Sequence, residues 1–258
     1  MPDILITDDR AIRTIRMNRP DKKNALTLAM YDAMSAAIQE ANRLSAIRCL
    51  LITGGSAFCA GNDINDFVKA SMGGALAEPV LGFLDVLVKN ETPVVAAVAG
   101  PAVGIGATML MHCDYVVAAT DAKLSTPFVA LGLVPEAASS LIAPRLMGHR
   151  KAFELLVMGH PLDAEAAREA GLVNKVVAPD ALEDVALAAA REIAALPPEG
   201  VRAARSARAT PRAAPSAISP RTPTRRSERS GSEATSAVRA AAIRSRARCG
   251  MAPRSRGR

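Results

Sequence analysis

A single carboxylate, Glu136, ends the apolar loop STPFVALGLVPE, and upstream lies a Gly-rich turn built on Gly100, Gly104 and Gly106. A Gly-rich turn that feeds a helix presents free backbone N–H groups and the positive end of the helix dipole. Such groups stabilise a developing oxyanion. A lone carboxylate in apolar surroundings has its pKa raised and works as a base near neutral pH. Oxyanion donors plus one base are what is needed to take a proton from a carbon beside a carbonyl. The same residues have plainer readings. The glycines would serve tight helix–strand packing, and Glu136 at a helix start would complement the dipole. The turn does not fit GxGxxG and no P-loop Lys follows, so no phosphate cradle is expected.

The elements that must carry these groups alternate. ILIT (4–7) and AIRTIRM (11–17) read as strands around an Asp8–Asp9–Arg10 turn. Met30, Ala33, Met34, Ala37, Ile38 and Ala41 follow helical spacing, with Thr27 as N-cap. CLLIT (49–53), PVVAAV (93–98) and NKVV (174–177) read as buried strands. Helices are expected near 62–70, 76–89, 138–146, 149–157, 163–170 and 181–195. This order implies an α/β domain with a largely parallel sheet.

Half of the 258 residues are apolar, and no run is long enough to span a membrane. MPDILITDDR has no basic n-region or apolar h-region, so no signal peptide is expected. Cys49, Cys59, Cys113 and Cys249 lack CxxC pairing and read as reduced thiols of a cytoplasmic protein. His112, His149 and His160 lack ligand spacing and read as helix-end or surface residues; no metal is expected. Asp114 is expected to secure a strand end.

The net charge of +7 is unevenly spread: residues 201–258 carry 15 Arg and two acids, +13, which leaves residues 1–200 at −6. The large aliphatics of that tail are Val201, Ile218, Val238, Ile243 and Met251, without helical period, so disorder is expected from 201 onward.

Several segments, in order, resemble the crotonase superfamily, also called enoyl-CoA hydratase/isomerase. They are NRPDKKNAL (18–26), FCAGNDI (58–64), AGPAVGIGA (99–107), LGLVPEAASSLIAPRLMG (131–148) and LDAEAAREAGLVNKVV (162–177). The resemblance covers residues 4–200. It implies a spiral of repeated ββα units, trimers or hexamers, and acyl-CoA thioesters as substrate with no further cofactor. By position it implies oxyanion N–H groups at Asn62 and Ile105. Lys23, Ala25, Ala60, Asn62, Asp63 and Ile64 are implied as CoA contacts, although Asp63 would also cap a following helix.

Departures from the family pattern narrow the chemistry. The two glutamates with which hydratases of the family activate water are replaced here by Thr108 and Phe128, which are implied as acyl-pocket lining. Glu136 matches the single catalytic glutamate of the Δ3,Δ2-enoyl-CoA isomerase branch. The resemblance thus implies a fatty-acid-metabolising isomerase in which Glu136 moves a proton from C2 to C4 of a 3-enoyl-CoA. A hydratase, another acyl-CoA chemistry, and an RNA-binding relative acting through the basic tail are the alternatives. Nucleic acid is not the favoured partner. The family continues past residue 200 with amphipathic helices, so an out-of-frame message from near residue 203 is the favoured account of the tail. A nucleic-acid arm and a passive extension are the others.

Overall fold

The computed structural model describes residues 1–63, 66 and 78–209. Strands β1 (Ile4–Asp9) and β2 (Ile12–Met17) form an antiparallel hairpin, turned at Arg10 with φ 55°. Helix α1 (Leu28–Arg43) follows, and the Thr27 side chain caps it by accepting from the Met30 N–H at 3.3 Å. Then come β3 (Cys49–Thr53), α2 (Glu78–Lys89), β4 (Val94–Val98), β5 (Pro101–Val103) and a short α3 (Ile105–Thr108), which continues as a 3-10 turn, Met109–His112. The rest is β6 (Tyr115–Ala119), β7 (Lys123–Ser125), α4 (Ser139–Phe153), β8 (Leu162–Asp163), α5 (Ala164–Glu169), β9 (Lys175–Val177), α6 (Leu182–Ala195) and α7 (Pro198–Ala209).

The large sheet runs β1-β2-β3-β4-β6-β9 and is parallel from β2 onward. A smaller sheet runs β5-β7-β8. In the successive units β4-β5-α3 and β6-β7-α4, the first strand joins the large sheet and the second joins the small one. This is the expected ββα spiral. One register row, Ile15–Ile52–Ala96–Val116, faces the main core with Met30, Met34 and Ile38 of α1. The opposite face, with Leu51, Val95 and Val117, is covered by α6, whose Ala186, Ala190 and Ala194 let the helix lie close.

Several expectations change. What reads as one Gly-rich turn contains a strand, β5. The helices expected at 138–146 and 149–157 form one element kinked at Gly148 (φ 76°, ψ 158°), which ends in a π-turn, Glu154–Met158. Asn62 is not helical but bridges Leu26, and most of the helix expected over 62–70 lies outside the described residues. The boundary placed at residue 200 falls inside α7, so disorder from 201 onward is incorrect as far as Ala209. A side-chain contact outweighs composition there: Arg205 Nε donates to both Asp114 oxygens at 2.9 and 2.8 Å. Asp114 does secure a strand start, since its carboxylate accepts from the Val94 N–H at 2.9 Å. Residues 210–258, with the three readings of the tail, lie outside the described residues. Among the described residues no helix is long and apolar enough to cross a membrane.

Candidate active site

The site lies beyond the carboxyl ends of β3 and β4, where open parallel sheets place their ligand crevices. Two loops leave those ends and zip together by backbone. Phe58 N–H donates to Ala99 O, Cys59 N–H to Pro101 O, and Val103 N–H to Cys59 O, at 2.8–2.9 Å. The approach is so close that a Cβ on Gly106 would stand 2.7 Å from Cys59 O, so only glycine fits. Gly104, with φ 56° and ψ −117°, holds a backbone conformation reserved for glycine and starts α3. At the loop ends, the N–H groups of Asn62 and Ile105 have no acceptor among the described residues. Both are therefore free to receive an oxyanion. The Ile105 side chain is buried in the core and contributes only this backbone group.

The first loop is also tied to the NRPDKKNAL segment. Ala60 N–H donates to Lys23 O at 2.9 Å, Leu26 N–H to Gly61 O at 2.7 Å, and Asp63 N–H to Leu26 O at 2.8 Å. Lys23, Ala25, Ala60, Asn62 and Asp63 thus lie along one paired edge. Lys23 is exposed, while Asp63 is buried and accepts from Arg19 Nη1 at 2.7 Å. The described bond of Asp63 is a clamp between the two segments. Buried Asn24 adds to it through Nδ2, which donates to Gly54 O and Ala57 O at 2.8 and 2.6 Å. Ile64 lies outside the described residues.

Glu136 is half-buried and meets the same short helix that Ile105 begins. Thr108 Oγ1 donates to its Oε1 at 2.5 Å. Burial raises the Glu136 pKa above its ordinary value, and the Thr108 bond partly offsets this. Thr108, expected to line the acyl pocket, is fully buried, and its hydroxyl is engaged by Glu136. Phe128 is buried with its ring edge near Gly104. The backbone that presents Glu136 is unusual: Ala137 and Ala138 both have φ 53°, a left-handed conformation costing about 1–2 kcal/mol per residue. Ser139 secures it, with N–H and Oγ both donating to Glu136 O at 3.0 and 2.6 Å.

Three neighbours escape sequence reasoning. His112 is half-buried and pairs through Nε2 with Ala137 O at 2.8 Å, and burial lowers its pKa. It is not merely a helix-end residue. Its spacing of four from Thr108 was the available signal. Tyr31 on α1 donates its hydroxyl to Asn62 Oδ1 and packs tilted against Phe83, with ring centroids 5.3 Å apart. Burial, followed by nearby Cys59 and Glu136, keeps this phenol protonated. Ser139 is the third. Cys59, behind the zipper, is a filler: burial pushes its thiol up to about 12. Cys49, Cys59 and Cys113 are all free thiols.

The chain is 36% identical over 208 residues to 1,2-epoxyphenylacetyl-CoA isomerase of Escherichia coli, covering 78% of this chain and 79% of that protein. It is 36% identical over 206 residues to enoyl-CoA delta isomerase 2 of Rattus norvegicus, covering 77% of this chain but 52% of that longer protein. The structure of Pseudomonas aeruginosa OdaA superposes with TM-score 0.77 at 43% identity, covering 81% of this chain and 85% of that one. Other relatives carry enoyl-CoA hydratase names, so relatives alone do not choose between the two reactions. Residues 7–221 match the family described as Enoyl-CoA hydratase/isomerase, and this chain therefore belongs to that family of crotonase-fold enzymes.

Proposed function

We propose that this protein isomerises 3-enoyl-CoA thioesters to trans-2-enoyl-CoA, with Glu136 as the sole proton carrier. The observation that carries the reading is the solitude of Glu136. Among the described residues its bonding and charge environment contains no second carboxylate, and the nearest polar side chain is the Thr108 hydroxyl. Hydration needs one group to activate water and another to protonate carbon, whereas allylic isomerisation needs one base that moves a proton.

The thioester carbonyl binds between the Asn62 and Ile105 N–H groups. Glu136 takes a proton from C2, and the C–H electron pair moves into a dienolate whose charge rests on the thioester oxygen. Each donor of this kind is worth about 3–4 kcal/mol. The protonated Glu136 then delivers the proton to C4. The double bond shifts from C3–C4 to C2–C3, the carbonyl reforms, and the carboxylate is restored. Proton transfer of this kind asks for no redox cofactor or metal. Lys23, Ala25, Ala60, Asn62, Asp63 and Ile64 are proposed to run along the CoA moiety, and Phe128 beside the acyl chain. A place in fatty-acid oxidation, a cytoplasmic location and a trimeric or hexameric assembly accompany the reading.

The test is an assay with 3-enoyl-CoA and 2-enoyl-CoA, alongside Glu136→Gln. Conversion of the 3-enoyl substrate, abolished in the variant, with negligible hydration of the 2-enoyl form, is expected. Hydration that survives Glu136→Gln would overturn the assignment.

A further inference from the structure

We infer that Thr108 and His112, four residues apart on the helical segment 105–112, are positioning residues that brace Glu136. In this brace Thr108 ties down Oε1 and leaves Oε2 as the oxygen that takes and returns the substrate proton. The inference rests on Glu136 being the base, as proposed above.

Thr108 is fully buried, and its hydroxyl reaches two acceptors, Gly104 O at 3.3 Å and Glu136 Oε1 at 2.5 Å. A hydroxyl has one hydrogen. A helical threonine ordinarily returns it to the carbonyl four residues back. Here the charged carboxylate is the nearer and stronger acceptor, so the hydrogen goes to Oε1. Oε2 has no hydrogen-bond partner among the described residues. It can therefore approach the substrate C–H. When Oε2 takes the proton, Oε1 becomes the carbonyl oxygen of the neutral acid and still accepts from Thr108. No hydrogen bond has to be exchanged between removal at C2 and return at C4. The carboxyl group needs only to tilt about a tethered oxygen.

A tether at the tip works only if the main chain is held as well. The two residues after Glu136 lie in the left-handed region, and Ala138 O already accepts from the Leu141 and Ile142 N–H groups at 2.9 and 3.0 Å, while Ala137 O turns toward His112. His112 Nε2 adds a bond beside those of Ser139, donating to Ala137 O at 2.8 Å, and burial lowers the pKa of the ring. Thr108 and His112 thus hold the side chain and the main chain of one loop from a single helical segment.

The experiment compares Thr108→Val, Thr108→Ser, His112→Leu and His112→Gln with the parent enzyme and Glu136→Gln. It measures kcat, KM and the pH dependence of kcat/KM on a 3-enoyl-CoA. Loss of one charge-assisted hydrogen bond predicts a fall in kcat of about 10- to 100-fold for Thr108→Val with KM near unchanged. The acid limb of the profile should move to higher pH, because the Thr108 bond lowers the Glu136 pKa. The other titratable groups near Glu136 are Tyr31, which burial raises well above its ordinary value, and His112, which burial lowers against the opposing Ala137 bond. Neither bonds to Thr108, so their titration is common to the parent and Thr108→Val. Thr108→Ser and His112→Gln retain donors and should rescue both readouts, whereas His112→Leu should lower kcat. Wild-type kcat and pH profile in Thr108→Val, with Glu136→Gln inactive, would overturn the brace and leave the base intact. Full activity in Glu136→Gln would remove both. Should Thr108→Val fail to fold, Thr108→Cys, a much weaker donor, is measured in the same way.

Discussion

The proposed oxyanion side of the site is made of backbone, and the proposed base side is made of side chains. Asn62 and Ile105 are presented by two loops that hydrogen-bond to each other through main-chain atoms and close on glycines too tight for a Cβ. Glu136 is presented by a strained loop in which Thr108, His112 and Ser139 supply the holding bonds. The first region should tolerate changes of side chain and fail when a methyl group enters the zipper. The second should keep its fold when glycine is added but lose activity when a donor or the carboxylate is lost.

The largest effect should come from the base. Glu136→Gln keeps an acceptor for Thr108 but cannot take a proton, so kcat should fall about 10²–10⁴-fold in a steady-state assay. Next comes the zipper. A Cβ on Gly106 would sit 2.7 Å from Cys59 O and push the loops apart, so Gly106→Ala should lower kcat about 10²-fold, as expected for a displaced oxyanion donor. An Ile105→Val enzyme with a comparable loss would break the contrast between the two regions.

Smaller effects sharpen it. Ala138→Gly relieves a left-handed alanine and should raise stability by about 1 kcal/mol in a denaturant titration, while loosening Glu136 enough to lower kcat. Glu136→Gln should also show a stability gain that depends on pH. The folded pKa of Glu136 is raised, so its favourable contribution is complete below the ordinary carboxylate pKa and is lost as pH rises through the folded value. Thermal melts of parent and variant should therefore coincide near pH 4 and separate toward pH 8, with the variant more stable. The smallest effect belongs to Ile105→Val, which removes one buried methylene and should destabilise by about 1 kcal/mol with kcat unchanged.

Much of the molecule was legible because its signals are local. Thr27 as a cap, the buried run CLLIT, the alternation of strands and helices, and Glu136 as the lone acid of an apolar loop all depend on near neighbours. Strand β5 was hidden because three residues, PAV, carry no period. Helix α7 was hidden because an Arg-, Ala- and Ser-rich segment has only a small apolar side, with Val201 its one large aliphatic, and its described anchor is a contact 91 residues away, Arg205 on Asp114. His112 looked ordinary because a histidine is given its role by what it faces.

Residue type and short-range spacing by themselves determined an α/β chain with a Gly-rich turn and one carboxylate in an apolar loop. The crotonase kind and the paired backbone donors came from the resemblance of its ordered motifs to that family. The tertiary structure alone decided which groups hold that carboxylate, Thr108 at its tip and Ser139 and His112 on its main chain, and brought Tyr31 of α1 onto the Asn62 side chain. Hydrogen bonds act over about 3 Å of space whatever the distance along the chain, so only folding could reveal these partners.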